Sequence, residues 1–159
     1  MSNFTIRKAT ENDCHLILNF IKALANYEKM ADQVTADENL LKKWLFDERV
    51  AEVVFACENG KEVGFALFFH NFSTFLGKAG LYLEDLFVLP TYRGKGYGIG
   101  LLKYLAKLSL ERGYGRFEWC CLDWNKPSID LYLAMGAKKM DEWTTYRLCG
   151  KELENFAKD

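Results

Sequence analysis

The sequence has 159 residues, of which half are hydrophobic and 27% are charged, and its formal net charge is −1. This length and composition are typical of one globular domain, and the balance of charges argues against a nucleic-acid partner. No apolar run has the length that spans a bilayer, so we predict no membrane association. Residues 1–14 are polar and mixed in charge, unlike a signal peptide, and we therefore expect a cytoplasmic protein.

The cysteines and histidines show no metal-site pattern. The five cysteines include no C-x-x-C pair, and the two histidines belong to no cluster with metal-ligand spacing. We therefore predict that no metal is bound. We interpret each cysteine as a small buried hydrophobe in a reducing compartment.

The N-terminal third predicts a strand and two helices. Residues 3–8 alternate polar and apolar side chains, which predicts a first strand. Residues 10–13 resemble a capping box, and an apolar stripe from Leu16 to Leu24 at helical spacing follows them. A second capping-box pattern at residues 35–38 begins the second helix.

The middle of the chain predicts a hairpin and a central strand. Residues 51–57 and 62–70 are apolar runs separated by Asn59-Gly60, which is a strong hairpin signal. A loop over residues 71–77 leads to the central strand, which begins near Leu81 and stops before Pro90 because proline cannot donate to a sheet ladder.

A glycine-rich loop follows this strand and opens a helix. The loop reads Arg93-Gly94-Lys95-Gly96-Tyr97-Gly98-Ile99-Gly100, and leucines at helical spacing continue from it as far as Gly113, a natural C-cap. Free backbone N–H groups at the positive end of a helix form an anion site, to which Arg93 and Lys95 add charge. The spacing fits neither a P-loop nor a dinucleotide fingerprint. We expect a phosphate or pyrophosphate ligand.

The last third predicts a strand over residues 116–122, a loop, a short helix that Gly136 ends, and a final strand over residues 143–149. The whole order is β-α-α-β-β-β-α-β-α-β. It predicts an α/β fold with a mixed sheet and helices on both faces, in a single domain over residues 1–159.

Two adjacent carboxylates, Glu84 and Asp85, stand inside the apolar central strand. On a regular strand they face opposite sides, whereas a bulge changes the direction of one and leaves a backbone N–H unpaired, for example that of Leu86 or Val88. One interpretation gives at least one carboxylate a substrate role. The alternative pairs one with a basic side chain and leaves the other solvated.

Tyr132 is a second candidate, because a phenol can protonate a thiolate. Its place among Ile129 and Met135 favours plain packing. The residues alone leave both interpretations open.

Five separated motifs resemble the GCN5-related N-acetyltransferases, in particular their spermidine/spermine branch. These motifs are Tyr27-Glu28 with Asp32-Gln33-Val34, Tyr82-Leu83-Glu84-Asp85, Tyr92-Arg93-Gly94 with Gly96-x-Gly98, Trp124-Asn125, and Leu131-Tyr132 with Gly136-Ala137. The resemblance covers nearly the whole chain. It implies a mixed, mostly antiparallel sheet, acetyl-coenzyme A (acetyl-CoA) as co-substrate, a small-molecule amine as acceptor, and a homodimer.

The resemblance also implies roles for particular residues. Glu84 corresponds to the family's proposed base and Tyr132 to its proposed general acid. The implied cofactor-binding residues are Leu86, Phe87, Val88, Arg93, Gly94, Lys95, Gly96, Tyr97, Gly98, Ile99, Asn125, Lys126, Pro127, Ser128 and Tyr132. The implied acceptor-binding residues are Tyr27, Glu28, Glu84, Asp85, Glu118, Trp119 and Cys120.

One departure bears on the acceptor. Ser73-Thr74 stands where the polyamine enzymes carry an acidic residue and a proline, and the relatives that acetylate thialysine resemble this chain better there. The resemblance therefore favours a thialysine-like diamino acid or short diamine over a long polyamine. Two other functions remain open: acetylation of protein amines, and a non-catalytic acyl-CoA-binding sensor.

Overall fold

The computed structural model describes residues 3–159, and the chain forms two compact parts that meet in sequence between Cys120 and Cys121. The first part contains a five-stranded sheet in the order β1-β2-β3-β4-β5. Its strands are β1 (Phe4–Lys8), β2 (Glu52–Glu58), β3 (Lys61–Ser73), β4 (Lys78–Val88) and β5 (Phe117–Trp119). Its helices are α1 (Cys14–Tyr27), α2 (Glu38–Leu41, continued by a π-helix over Lys42–Asp47) and α3 (Tyr97–Glu111).

The sheet is mixed and mostly antiparallel, as predicted. Strands β1 to β4 pair antiparallel with their neighbours, and β5 pairs parallel with β4. Asn59 and Gly60 have φ values of 50° and 82°, which suit the two-residue turn predicted between β2 and β3. Parallel pairing of β4 and β5 requires a crossover, and α3 supplies it.

Helices cover both faces of the sheet, which confirms the predicted arrangement. Ile17 and Phe20 of α1 pack in one apolar cluster with Phe55 and Phe65. The α3 helix lies on the opposite face, where the ring of its Tyr97 stacks on Phe4 with centroids 5.0 Å apart. Successive strand residues point to opposite faces, so each strand contributes to both layers.

Of the two helix caps predicted from the sequence, the structure confirms the first. The Thr10 N–H donates to Asp13 Oδ2 at 2.7 Å, which confirms the first capping box. The second was misplaced, because Asp37 rather than Thr35 caps α2 and accepts from the Leu40 N–H at 2.8 Å. Asp37 stands immediately before the helix, where its carboxylate reaches the free N–H groups.

Two boundaries differ from the prediction. The loop predicted over residues 71–77 is shorter, because the β3–β4 ladder continues to the pair Ser73 and Lys78. The strand predicted over residues 116–122 is limited to β5, whose ladder with β4 ends at Trp119. Sequence periodicity does not report where a partner strand stops, and both errors follow from that.

The second part contains α4 (Lys126–Ala134) and α5 (Gly150–Phe156). Gly136, with φ of 93°, follows the end of α4 as predicted. The strand predicted over residues 143–149 is wrong: no described residue pairs with this segment. An apolar–polar alternation forms a strand only where a ladder partner is present.

The predicted burial of the cysteines is confirmed for Cys14 and Cys57 and wrong for Cys120 and Cys149, which are exposed, while Cys121 is half-buried. Cys120 follows the last residue of β5, where the ladder has ended. Among residues 3–159, no helix combines the length and the apolar character that crossing a membrane requires.

Candidate functional site

A β-bulge in β4 places the two adjacent carboxylates. Leu67 of β3 pairs with Asp85 and its neighbour Phe68 pairs with Leu83, so Glu84 is the extra residue of the bulge. The side-chain alternation of β4 is shifted there by one residue. Asp85 and Phe87 consequently share the α1 face, whereas Glu84 is exposed.

The same bulge marks the point where β4 loses a partner. The Leu81 N–H donates to Arg116 O at 2.9 Å, but pairing with β5 ends at Leu83. The Leu89 N–H donates to Val63 O of the other neighbour, β3. Because backbone groups alternate between the edges of a strand, those of Leu86 and Val88 point to the β5 side. Within residues 3–120, no strand pairs with this edge beyond Leu83.

The glycine loop after β4 has the conformation of an anion cradle. Gly94 and Gly96 have φ values of 78° and 85°, and a Cβ on either would meet no atom within 4 Å. The first α3 hydrogen bond runs from Gly100 N–H to Gly96 O, so the N–H groups of Gly98 and Ile99 have no acceptor within the helix. They lie at the positive end of a helix of 15 residues.

The two cations of this loop contact opposite sides of the sheet. Arg93 Nε donates to Val88 O at 3.0 Å, and the guanidinium lies over the rings of Tyr27 and Phe87. Lys95 Nζ donates to Glu58 Oε1 at 2.7 Å, and the Tyr97 hydroxyl donates to the same oxygen. Both cations are therefore held by the protein itself, beside the predicted phosphate site.

Three carboxylates form an acidic cluster at the end of α1 and the bulge of β4: Glu28, Glu84 and Asp85. Burial, followed by the negative charges of Glu84 and Glu28, raises the pKa of Asp85 to about 6. Burial also raises the pKa of Glu28. Since the described structure offers Asp85 no cation partner, an incoming ammonium group would relieve this repulsion.

The end of β5 holds the other predicted acceptor residues. Glu118 accepts from Asn71 Nδ2 at 3.2 Å and forms an ion pair with Arg116, whose Nε lies 2.9 Å from Glu118 Oε1. The Trp119 ring packs on Phe117. The Cys120 Sγ and the Tyr82 hydroxyl are 3.0 Å apart, and burial raises the pKa of Tyr82.

The remaining predicted site residues lie in the second part. Asn125 is the N-cap of α4, and Lys126, Pro127 and Ser128 form its first turn. Tyr132 lies on the same helix, one to two turns later, and its carbonyl accepts from the Ala137 N–H at 3.1 Å. The side chain of Lys126 forms an ion pair with Asp130 at 2.6 Å.

The chain combines a bulged strand that has an open edge with a glycine cradle at a helix N-terminus. A protein-family model matches the part of the chain that contains both features. The model of the acetyltransferase (GNAT) family matches residues 13–137. The chain belongs to the GNAT acetyltransferase family. It is therefore a GNAT-family N-acetyltransferase, and the family implies acetyl-CoA as the acetyl donor.

Individual relatives agree with the family model. The chain is 37% identical to the thialysine N-epsilon-acetyltransferase of Sus scrofa, over 99% of both chains. It is 32% identical to a human spermidine/spermine N(1)-acetyltransferase-like protein, over 99% of this chain and 24% of that one. An integron cassette protein from the mobile metagenome of V. cholerae has a TM-score of 0.82 at 27% identity, over 98% of each chain.

The residues of the cradle fit the diphosphate of this donor. Glycine at positions 94 and 96 permits the positive φ that exposes successive N–H groups, and the open space on their Cβ side admits a ligand. The N–H groups of Gly98 and Ile99 add donors at the helix end.

Sequence reasoning missed two contacts at this site. Glu58, the last residue of β2, holds both Lys95 and Tyr97, and a single carboxylate before a hairpin gave no signal of that role. The contact of Arg93 with Tyr27 was also missed, because 66 residues separate these two positions in the sequence.

Proposed function

We propose that this protein transfers the acetyl group of acetyl-CoA to the side-chain amine of a small cationic acceptor, a thialysine-like diamino acid or a short diamine. One observation carries the proposal: an acidic cluster that forms no salt bridge within residues 3–159 stands beside the open edge of β4. A cationic amine attracted by Glu28, Glu84 and Asp85 would approach the edge to which the backbone of Leu86 and Val88 points.

The donor would be held mainly by backbone groups. The glycine cradle suits its diphosphate, and the open edge of β4 suits its pantetheine, since amide groups can hydrogen-bond there as a further strand would. The other residues assigned to donor binding by family resemblance are Phe87, Arg93, Lys95, Tyr97, Asn125, Lys126, Pro127, Ser128 and Tyr132.

Acetyl-CoA supplies a thioester that is reactive toward amines. The N–H of Leu86 or Val88 would donate a hydrogen bond to the carbonyl oxygen of the thioester and stabilise the negative charge that develops on it. Such a donor acts only if it has no competing acceptor. The β4–β5 ladder ends at Leu83, so β5 offers no ladder acceptor to these two N–H groups.

Proton transfers complete the proposed reaction. The acceptor ammonium must lose a proton, and Glu84 would take it, directly or through a water molecule. The amine nitrogen forms a bond to the acetyl carbon as the carbon–sulfur bond breaks. Tyr132 would then donate a proton to the departing thiolate.

The β3–β4 turn favours a short acceptor. Ser73 is buried and its Oγ accepts from the Leu76 N–H at 3.2 Å, so it stabilises the turn. Thr74 beside it is neutral. A long polyamine would require further negative charge at the rim of the site, and these two residues provide none.

The test is thiol release from acetyl-CoA with a panel of amines: thialysine, lysine, ornithine, putrescine, spermidine, spermine and a lysine peptide. We expect kcat/KM to be highest for thialysine or another short acceptor and at least tenfold lower for spermine. Acetylated product identified by mass spectrometry controls for hydrolysis of the thioester. Preference for the peptide would instead indicate a protein acetyltransferase, and tight donor binding without turnover would indicate an acyl-CoA sensor.

A further inference from the structure

Arg93 lies at the junction of three elements. It follows the 3₁₀ turn Pro90–Tyr92 after β4, and its Nε donates to the carbonyl of Val88 at 3.0 Å. The carbon at the centre of its guanidinium lies 4.8 Å from the centre of the Tyr27 ring and 5.0 Å from that of Phe87. One side chain thus contacts the end of α1, the end of β4 and the start of the glycine loop.

The two rings under the guanidinium contact each other. Their centroids are 6.2 Å apart at an interplanar angle of 54°. Phe87 is buried in the α1 layer, whereas Tyr27, the last residue of α1, is 37% exposed. A cation over an aromatic face is attracted by the ring, more strongly where water is partly excluded. Arg93 therefore fixes the less buried ring against the more buried one.

The position of Tyr27 matters because Glu28, which follows it, belongs to the acidic cluster. The Val88 carbonyl that Arg93 binds belongs to the open edge of β4. Lys95, two residues further along the same loop, instead contacts Glu58 and lies over the ring of Tyr92. The two loop cations therefore differ in which side of the site they support.

We propose that Arg93 is a positioning residue for the acceptor side of the site, holding the end of α1 with Tyr27 and Glu28 against the open edge of β4. The proposal rests on the function proposed above for that site. It assigns Arg93 a task separate from attraction of the donor's diphosphate, since its guanidinium is engaged by two rings and its Nε by a carbonyl.

Arg93→Met keeps the unbranched apolar stem of the side chain but removes the charge and the donor Nε. The control is Lys107→Met, which removes an exposed cation of α3 outside the proposed site. We expect Arg93→Met to raise the acceptor KM at least tenfold, with less than a threefold change in the Kd of coenzyme A measured by calorimetry. Lys107→Met should leave the acceptor KM within twofold of wild type. Arg93→Lys should restore part of the acceptor affinity, because its ammonium can still lie over the rings.

Amide hydrogen exchange tests the proposal without turnover. The Glu28 N–H donates to Leu24 O and the Met30 N–H to Ala25 O, which close the end of α1. We expect peptides covering residues 24–30 to exchange at least fivefold faster in Arg93→Met than in wild type, and at the wild-type rate in Lys107→Met.

Unchanged exchange at residues 24–30 would overturn the proposal, as would an Arg93→Met variant that loses coenzyme A affinity tenfold while its acceptor KM stays constant. If wild type shows no turnover with any amine, the proposed function fails, and the exchange measurement alone still decides whether Arg93 holds the end of α1.

Discussion

The two halves of β4 differ in their hydrogen-bond partners. Residues 78–83 pair with β3 on one edge, and the last three of them also pair with β5 on the other. Residues 85–88 pair with β3 alone, and Glu84 between the two halves is the unpaired residue of the bulge. Leu81 in the first half is fully buried, whereas Glu84 at the bulge is exposed.

Because of this difference, the first half of β4 contributes mainly to the stability of the sheet and the second half is available for the reaction. In the first half, Leu81 and Leu83 are buried and their strand pairs with a neighbour on both edges. In the second half, one edge of the backbone and the carboxylates are left for a ligand. The bulge at Glu84 is the boundary, because it shifts the alternation of side chains at the point where the parallel ladder ends.

The largest effect is expected from the paired half. Leu81→Ala should lower the free energy of unfolding by about 3 kcal/mol, because it leaves a cavity in a closely packed layer. Leu86→Ala in the other half, where the side chain is half-buried, should cost about 1 kcal/mol. Urea unfolding followed by circular dichroism measures both. Equal losses would show that the two halves do not differ in packing.

The next effect concerns the bulge itself. Glu84→Gln should lower kcat/KM for the acceptor by about 30-fold, or ~2 kcal/mol, because it removes the negative charge and the proposed base. The Kd of coenzyme A should stay within twofold of wild type. Glu111→Gln, at the exposed end of α3, is the control. Wild-type kinetics in Glu84→Gln would leave this carboxylate without a role.

A third variant asks whether β4 is sufficient for the reaction. Tyr132→Phe should lower kcat more than tenfold, at least ~1.4 kcal/mol, with nearly unchanged coenzyme A binding, because the thiolate then leaves without its proton donor. Steady-state kinetics and calorimetry give the two quantities. An unchanged kcat would show that Tyr132 only packs and that the second half of β4 is sufficient for the reaction.

A pH effect should follow from the buried carboxylate of the second half. Because the pKa of Asp85 is raised from 3.8 to about 6, the folded protein binds more protons than the unfolded chain between these values. The contribution of Asp85 to the free energy of unfolding is therefore lost as the pH rises from about 4 to about 6. This loss is of order 1 kcal/mol.

Asp85→Asn isolates this contribution. Urea titration at pH 4 and pH 7 measures the free energy of unfolding of wild type and of Asp85→Asn. Relative to Asp85→Asn, wild type should be less stable at pH 7 than at pH 4. A difference that is constant with pH would mean that Asp85 titrates normally.

The smallest effect is expected at the loop that follows β4. Lys95→Met should weaken coenzyme A binding by about two- to threefold, because the Lys95 ammonium is already held by Glu58 and the cradle binds through backbone N–H groups. The effect should shrink as salt is added. Lys107→Met on the exposed side of α3 is the control. A loss of tenfold or more would show that side-chain charge dominates donor binding.

The sequence alone determined most of the fold. The Asn59-Gly60 turn, the apolar stripe of α1, Pro90 after β4 and Gly113 after α3 are local signals, and each reflects a backbone preference of the residue itself. The glycine loop and the carboxylate pair Glu84-Asp85 could be recognised as candidates for the same reason, since both are unusual where they stand.

Tertiary structure decided what those candidates contact. Alternation along β4 could not tell which face Asp85 takes, because the bulge depends on register with β3. The engagement of Arg93 by Tyr27 and of Lys95 by Glu58 joins residues far apart in sequence. The strand predicted over residues 143–149 failed for a related reason: residue preference is local, whereas a ladder requires a partner that the segment cannot specify by itself.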